Sequence, residues 1–260
     1  MFYHNINPTL LSLGPLEIRY YGIIFVIGFI LAYFLIIHLA KKRDLNLTKE
    51  DTADFIFYLI IGVILGARLF YVLFYNFSSY ISNPLDIFAV WQGGLSFHGG
   101  LIGAVIATYF FCKKKKINFL ELADIVMIPL ALALALGRIG NFINAELVGR
   151  ITNVPWAVKF PHYEGFRHPS QLYESLKNLV IFTALWFLKD KNLRKGTLFF
   201  TFIIMYSALR FFIGFFRAPD IQLGFIIFGL TMGQILNILM FLIGIIFIVR
   251  INKKQDIDEN

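Results

Sequence analysis

The sequence predicts an all-α integral membrane protein, a polytopic bundle of about seven transmembrane helices with its N-terminus outside and its C-terminus cytoplasmic. Three observations predict it. Hydrophobic residues make up 58% of the 260 residues and the mean hydropathy is +0.71, more apolar surface than one soluble core can hide. The apolar residues fall in runs close to the ~20 residues a helix needs to cross a hydrocarbon core. The basic residues fall in blocks after alternate runs, the pattern that marks cytoplasmic loops.

In chain order the runs cover 20–40, 52–77, 95–112, 118–142, 169–188, 196–216 and 223–249. The first has no basic segment before it and no small-residue cleavage site after it, so it is expected to be a retained span. Lys41, Lys42, Arg43 and Lys49 follow span one, Lys113 to Lys116 follow span three, Lys189, Lys191, Arg194 and Lys195 follow span five, and Arg250, Lys253 and Lys254 follow span seven. These fifteen of the 24 basic residues place the loops at 78–94, 143–168 and 217–222 outside. A net charge of +8 in a soluble chain would suggest nucleic acid; distributed this way it is a topology signal, and no nucleic-acid partner is expected. Cys112 is the single cysteine, which excludes an intrachain disulfide. With no internal repeat, residues 1–260 read as a single transmembrane domain, with 143–168 an outward-facing loop or small cap. Gly62 and Gly66 in span two, and Gly99, Gly100 and Gly103 in span three, have the spacing that lets helix backbones approach closely.

A charged side chain near the bilayer centre costs about 2.5 to 3.5 kcal/mol on insertion scales, so each needs a partner, a wet cavity or a task. At 1.5 Å per residue from the cytoplasmic end, Arg68 lies roughly 20 Å into span two, Arg210 roughly 20 Å into span six and Arg138 nearly 30 Å along span four. Tyr206, Arg210 and Arg217 are spaced to share one face of span six, with Asp220 a candidate surface partner of Arg217. Arg138 and Asn141 are three apart, with Glu146 at the helix exit and able to pair with Arg138 or Arg150. Arg68 can equally cap backbone carbonyls. His98 stands at the mouth of the glycine-lined span three. Several arginines with few intramembrane acids leave positive charge that an anionic ligand would balance. His162 and His168 are six apart on a loop, and no metal motif is expected.

The run from Gly137 to Arg150, containing Arg138, Asn141, Asn144, Glu146 and Gly149, resembles the signature of the bacterial prolipoprotein diacylglyceryl transferases. Other segments agree in order: Arg19 to Gly22, Gly66 to Arg68, Gly93 to Gly100, Arg167 to Glu174, and Arg210 with Phe215 to Asp220. The resemblance implies a seven-span enzyme of the bacterial cytoplasmic (inner) membrane, its active site toward the outer leaflet. It implies transfer of the diacylglyceryl group of phosphatidylglycerol to the lipobox cysteine of a preprolipoprotein signal peptide, with release of glycerol phosphate and no cofactor. Arg138, Arg210 and His98 then match the family's essential residues, and Tyr21, Asn141, Glu146, Gly149 and Tyr206 match positions of functional or lipid contact; Arg68 and Arg217 join them as candidate lipid ligands. Ala145 departs from the family's usual glycine, Val148 from its tryptophan, Gly214 from a glutamate, and Asn237 and Leu239 from Ser and Pro.

That chemistry needs a thiolate, since a free cysteine has a pKa near ~8.5. A neutral histidine, with an ordinary pKa near ~6.5, can take the proton, and arginines can hold the phosphate that leaves. The residues alone leave one other class open, a membrane transporter for an organic or phosphate-bearing anion. A retinal-type protein is disfavoured because the last span has no lysine at 223–249, and an intramembrane protease because no zinc or serine motif is present.

Overall fold

The computed structural model describes residues 1–14, 16–75, 77–219 and 224–258. Among them eight α-helices alternate with loops: α1 (Tyr20–Lys42), α2 (Lys49–Phe74), the short α3 (Phe77–Ser82), α4 (Phe97–Lys115), α5 (Phe119–Ile143), α6 (Ser170–Leu188), α7 (Thr197–Ile213) and α8 (Met232–Asp258). Four are long and apolar enough to cross a membrane: α1, α2, α5 and the Met232–Ile251 part of α8. Four short strands, β1 (Phe2–Tyr3), β2 (Thr9–Leu13), β3 (Leu16–Arg19) and β4 (Val158–Lys159), were not expected from an all-α reading. Two to five residues are too few to show a period of two.

Helix starts follow local chemistry. α2 begins three residues ahead of its apolar run because Thr48 and Asp51 form a capping box, each side chain accepting from the other's backbone. α8 begins nine residues after the predicted start of span seven, whose first residue, Leu223, lies outside the described residues. Gly224, Phe228 and Gly229 all have positive φ, and in a tight turn the Ile226 amide donates to the Leu230 carbonyl while the Leu230 amide donates to that of Ile227. Thr231 and Gln234 then form a second capping box. α7 ends at Ile213, three residues before the predicted end of span six.

The chain divides into two compact units, Tyr33–Leu122 and the remainder. Within Tyr33–Leu122, α2 packs on α4 through the glycines the sequence singled out. A Cβ on Gly66 would stand 2.3 Å from the Gly99 carbonyl oxygen, and one on Gly103 2.0 Å from that of Gly62. The backbones touch, which leaves no room between them for a lipid headgroup. The Phe55 and Phe111 rings pack with centroids 5.0 Å apart nearer the other end of the pair.

The second unit has a small cap. β1 pairs in parallel with β4, and Val148, Val158 and Phe160 form a core against Phe142 and Ala145. His4 is buried and hydrogen-bonds the Phe142 carbonyl at 2.8 Å. α7 packs on both α6 and α8, with Phe200 and Phe247 stacked at 5.0 Å. The first turn of α7 has no capping side chain of its own. Asp124 of α5, fully buried, accepts from the Gly196 and Phe199 amides at 2.8 Å each. It supplies both an N-cap and a negative charge at the positive end of the helix.

α5 ends in a Schellman turn: the Ala145 amide donates to Phe142 and the Glu146 amide to Asn141, with Ala145 at φ 55°. That left-handed site suits glycine, the residue the family usually places there. Two stability changes follow, both readable as thermal unfolding in detergent. Ala145→Gly should stabilise by about 1 kcal/mol by relieving the left-handed conformation. Asp124→Ala should destabilise by about 2 to 4 kcal/mol, because two buried amides lose their acceptor, and Asp124→Asn should lose roughly half of that.

Candidate active site

The buried polar centre of the larger unit lies where α6 meets α7. Glu174 of α6 holds two cations. One carboxylate oxygen accepts from Lys177 Nζ at 2.8 Å, and the other forms an ion pair with Arg210 of α7. The Lys177 and Glu174 side chains are 1% and 3% exposed and that of Arg210 15%. Lys177 also stands 3.7 Å from the centroid of the Tyr206 ring, a cation held against the negative face of an aromatic. Tyr206 and Arg210 therefore meet the same pair on α6, as a shared helical face requires. Arg217 does not continue that face. With α7 ended at Ile213, Arg217 lies beyond the turn, in a backbone bridge to Gly149. Its proposed partner Asp220 lies outside the described residues.

α6 is placed by hydrogen bonds to α5 and to the segment that leaves it. Ser175 donates to the Ala135 carbonyl, Ser170 to that of Leu147 and Gln171 to that of Glu146. This brings Arg138 into the electrostatic field of Glu174 and Lys177. Arg138 itself donates to Asn141 Oδ1 at 3.3 Å, and the Asn141 amide donates onward to Glu146 at 3.3 Å. Glu146 thus reaches Arg138 through an amide relay. Asn144 steadies its other oxygen at 3.2 Å. The Tyr21 ring packs over Gly140, where a Cβ would lie 2.8 Å away, and its hydroxyl faces Asn141 in the field of Arg138 and Glu146.

Gly149 sits where three chain segments cross. A Cβ there would be 2.5 Å from the His168 carbonyl oxygen and 2.7 Å from that of Phe216. Its neighbour Arg150 donates Nε to the Arg217 carbonyl at 2.9 Å and lies over the Phe225 ring, which occupies it away from Glu146. Burial pushes the His168 ring below its ordinary pKa, so it is neutral near pH 7. It hydrogen-bonds the Tyr173 hydroxyl at 3.1 Å, which in turn accepts from Trp156 at 2.7 Å.

Two predicted site residues belong to Tyr33–Leu122. Arg68 is buried and gives all its N–H groups to carbonyls: Nε to Ile87, Nη1 to Gly93 and Gly94, Nη2 to Asp86 and Ala89. Of its two roles considered from sequence, this is the capping of backbone carbonyls. It fixes the loop that leads into α4. His98 stands exposed in the first turn of α4, just after Ser96, whose side chain caps the helix by accepting from the Gly99 amide. Among the described residues, no group of three or more His, Cys, Asp or Glu side chains is placed to hold a metal ion.

Glu174, Lys177 and Asp124 were missed as buried charges. A signal for the first two was present, a Glu and Lys three apart inside an apolar run, which on a helix form a local pair. The positive charge around Arg210 is accordingly less bare than a count of intramembrane acids suggested.

Comparison with known proteins agrees end to end. The sequence model of the family described as prolipoprotein diacylglyceryl transferase matches residues 8–250. A phosphatidylglycerol–prolipoprotein diacylglyceryl transferase of Geobacter sulfurreducens is 48% identical over 257 residues, covering 98% of this chain and 99% of the relative. Proteins of the same name from Legionella pneumophila and Rickettsia rickettsii are each 48% identical, covering 94% and 98% of this chain and 96% and 100% of their own lengths. With this coverage and with the signature residues gathered around α5, α6 and α7, the chain belongs to the prolipoprotein diacylglyceryl transferase family.

Proposed function

We propose that this chain is a multi-pass enzyme of the bacterial inner membrane that moves the diacylglyceryl group of phosphatidylglycerol onto the lipobox cysteine of a preprolipoprotein signal peptide. The observation that carries the reading is the 48% identity to transferases of that name over nearly whole chains. An anion carrier, the other class open from the residues, is not what these relatives are. The buried basic groups Arg138 and Arg210 support the same conclusion from chemistry, since they suit a substrate that brings a phosphate into an apolar site.

α4, α6 and α7 span roughly 25 to 29 Å at 1.5 Å per residue, about the thickness of a hydrocarbon core. Together with the four longer apolar helices they make seven crossings, and the basic blocks then put the C-terminus in the cytoplasm and the signature residues toward the outer leaflet. A signal peptide and a lipid both reach that depth by lateral diffusion.

The reaction forms a carbon–sulfur bond and breaks a carbon–oxygen bond. His98 accepts the thiol proton, the thiolate attacks the glycerol carbon next to the phosphate, and the bonding electrons leave with the phosphate oxygen as glycerol phosphate. Arg138 and Arg210 bind that phosphate and stabilise the charge it gains. Tyr21, Asn141 and Glu146 orient Arg138, while Tyr206 supports the Lys177 and Glu174 pair beside Arg210. Gly149 keeps the close crossing that seats Arg217 near the lipid. Arg68 acts from behind, holding the loop that presents His98.

The test is purified protein in lipid nanodiscs with phosphatidylglycerol and a lipobox peptide, followed by mass spectrometry. A diacylglyceryl mass gain on cysteine with stoichiometric glycerol phosphate is expected; neither product means the reading is wrong. Arg138→Ala and Arg210→Ala should each lose about 10²- to 10³-fold in kcat, the scale seen when one preorganised oxyanion donor is removed. Lysine at either position should recover little, because it cannot form the bidentate contact. His98→Ala should lose about 10²- to 10⁴-fold in kcat, the scale of a lost general base. An unchanged kcat would remove His98 as the base.

A further inference from the structure

Lys177 takes no part in the bond changes of the reaction as described. Yet it is among the most deeply buried charges of its unit, and it is held in two ways. Its ammonium donates to Glu174 at 2.8 Å and rests 3.7 Å from the Tyr206 ring centroid. Glu174 is at the same time the ion partner of Arg210. Two cations thus divide one carboxylate, and Arg138 acts on the same group through space.

The division matters for a guanidinium that must bind phosphate. With Arg210 as its only partner, Glu174 would form a closed, self-neutralised pair in a low-dielectric site. An incoming phosphate would have to break that pair and leave a buried carboxylate uncompensated. With Lys177 present the carboxylate is already neutralised from the other side, and repulsion between the two cations loosens the hold on Arg210. The Tyr206 face keeps the ammonium in place when Arg210 turns away.

We propose that Lys177 is a positioning residue for phosphate capture: it retains the Glu174 carboxylate so that Arg210 can exchange that carboxylate for the phosphate of the lipid substrate. This rests on the transferase reading above. Lys177 touches neither substrate nor reacting atoms; it acts through Glu174 on Arg210.

The experiment is steady-state thioether formation in nanodiscs of graded phosphatidylglycerol content, for the wild type, Lys177→Met, Lys177→Arg and the double variant Lys177→Met with Glu174→Gln. Lys177→Met keeps the length of the side chain and removes its charge. It should raise KM for phosphatidylglycerol about tenfold with kcat within about threefold, because Glu174 then claims Arg210 alone. Lys177→Arg should stay within about threefold of wild type, and the KM of the double variant, having lost the competing carboxylate, should fall back to within about threefold of wild type whatever its kcat. A merely structural lysine would lower kcat and folded yield together, with no rescue from Glu174→Gln.

A wild-type KM in Lys177→Met, or a double variant no better than the single one, overturns the proposal. Should Lys177→Met not fold, the double variant decides. A KM within about threefold of wild type supports the exchange, and one about tenfold higher rejects it. A wild-type protein that forms no thioether removes the transferase reading and this inference with it.

Discussion

The structure depends on one constraint: in an apolar solvent, every charge and every backbone polar group has to be matched locally. The Glu174 carboxylate is where that constraint is tightest. It couples α6 to α7 through Arg210, engages Lys177 on its own helix, and lies in the field of Arg138 on α5. One anion thereby ties α6 to α7 and balances charge that reaches it from α5. Replacing such a cluster with well-packed apolar residues is often neutral or stabilising. Its presence therefore points to function, not to a need for stability.

The same constraint explains Arg68 and Asp124, which act on backbone groups. The loop between α3 and α4 turns through two 3-10 segments, Pro84–Phe88 and Val90–Gln92, too short to pair most of their own carbonyls. Arg68 supplies five donors from a single side chain and so ties the otherwise exposed loop to α2 through carbonyls that its buried guanidinium satisfies. Asp124 does the converse for two amides at the start of α7. Both are charged residues whose work is to satisfy the backbone, and a hydropathy profile registers each only as an interruption.

The contrast shows what is legible in a sequence of this kind. Runs of apolar residues fix where most helices lie, because the bilayer imposes their length; α1, α5 and α6 agree with the reading to within two residues at either end. Glycines four apart announce close packing, since only backbone can occupy that space. Arg138 and Asn141 meet because three residues along a helix is a contact distance. The start of α8 was not legible, because an apolar run continues through the turn at Phe228, whose positive φ is a tertiary choice. Nor was the position of Arg217: helical spacing was extended past Gly214, beyond the point where the chain leaves α7 to bridge Gly149. Which of its two roles Arg68 performs was equally hidden, for a guanidinium buried against carbonyls and one facing a lipid have the same local sequence.

Gly214 shows how a departure from the family pattern is absorbed. A glutamate in its place would have stood one turn beyond Arg210 on α7, within reach of the same guanidinium. Here a Cβ at 214 would lie 2.7 Å from Gln234 Cγ and 2.9 Å from its Cδ. Gln234 is buried, donating to the Phe211 carbonyl and accepting from the Thr231 amide. The volume beside α7 has therefore passed to a neutral side chain that caps α8, and a larger residue at 214 cannot enter without displacing it. Among the described residues, the counter-charge of Arg210 is Glu174, which approaches from α6. A carboxylate on the arginine's own helix would move with it; one on a neighbouring helix, already neutralised by Lys177, can stay behind when the guanidinium moves. The loss of one acid and the burial of a lysine are then parts of the same electrostatic solution, in which Arg210 is held firmly enough to be buried and loosely enough to exchange its partner.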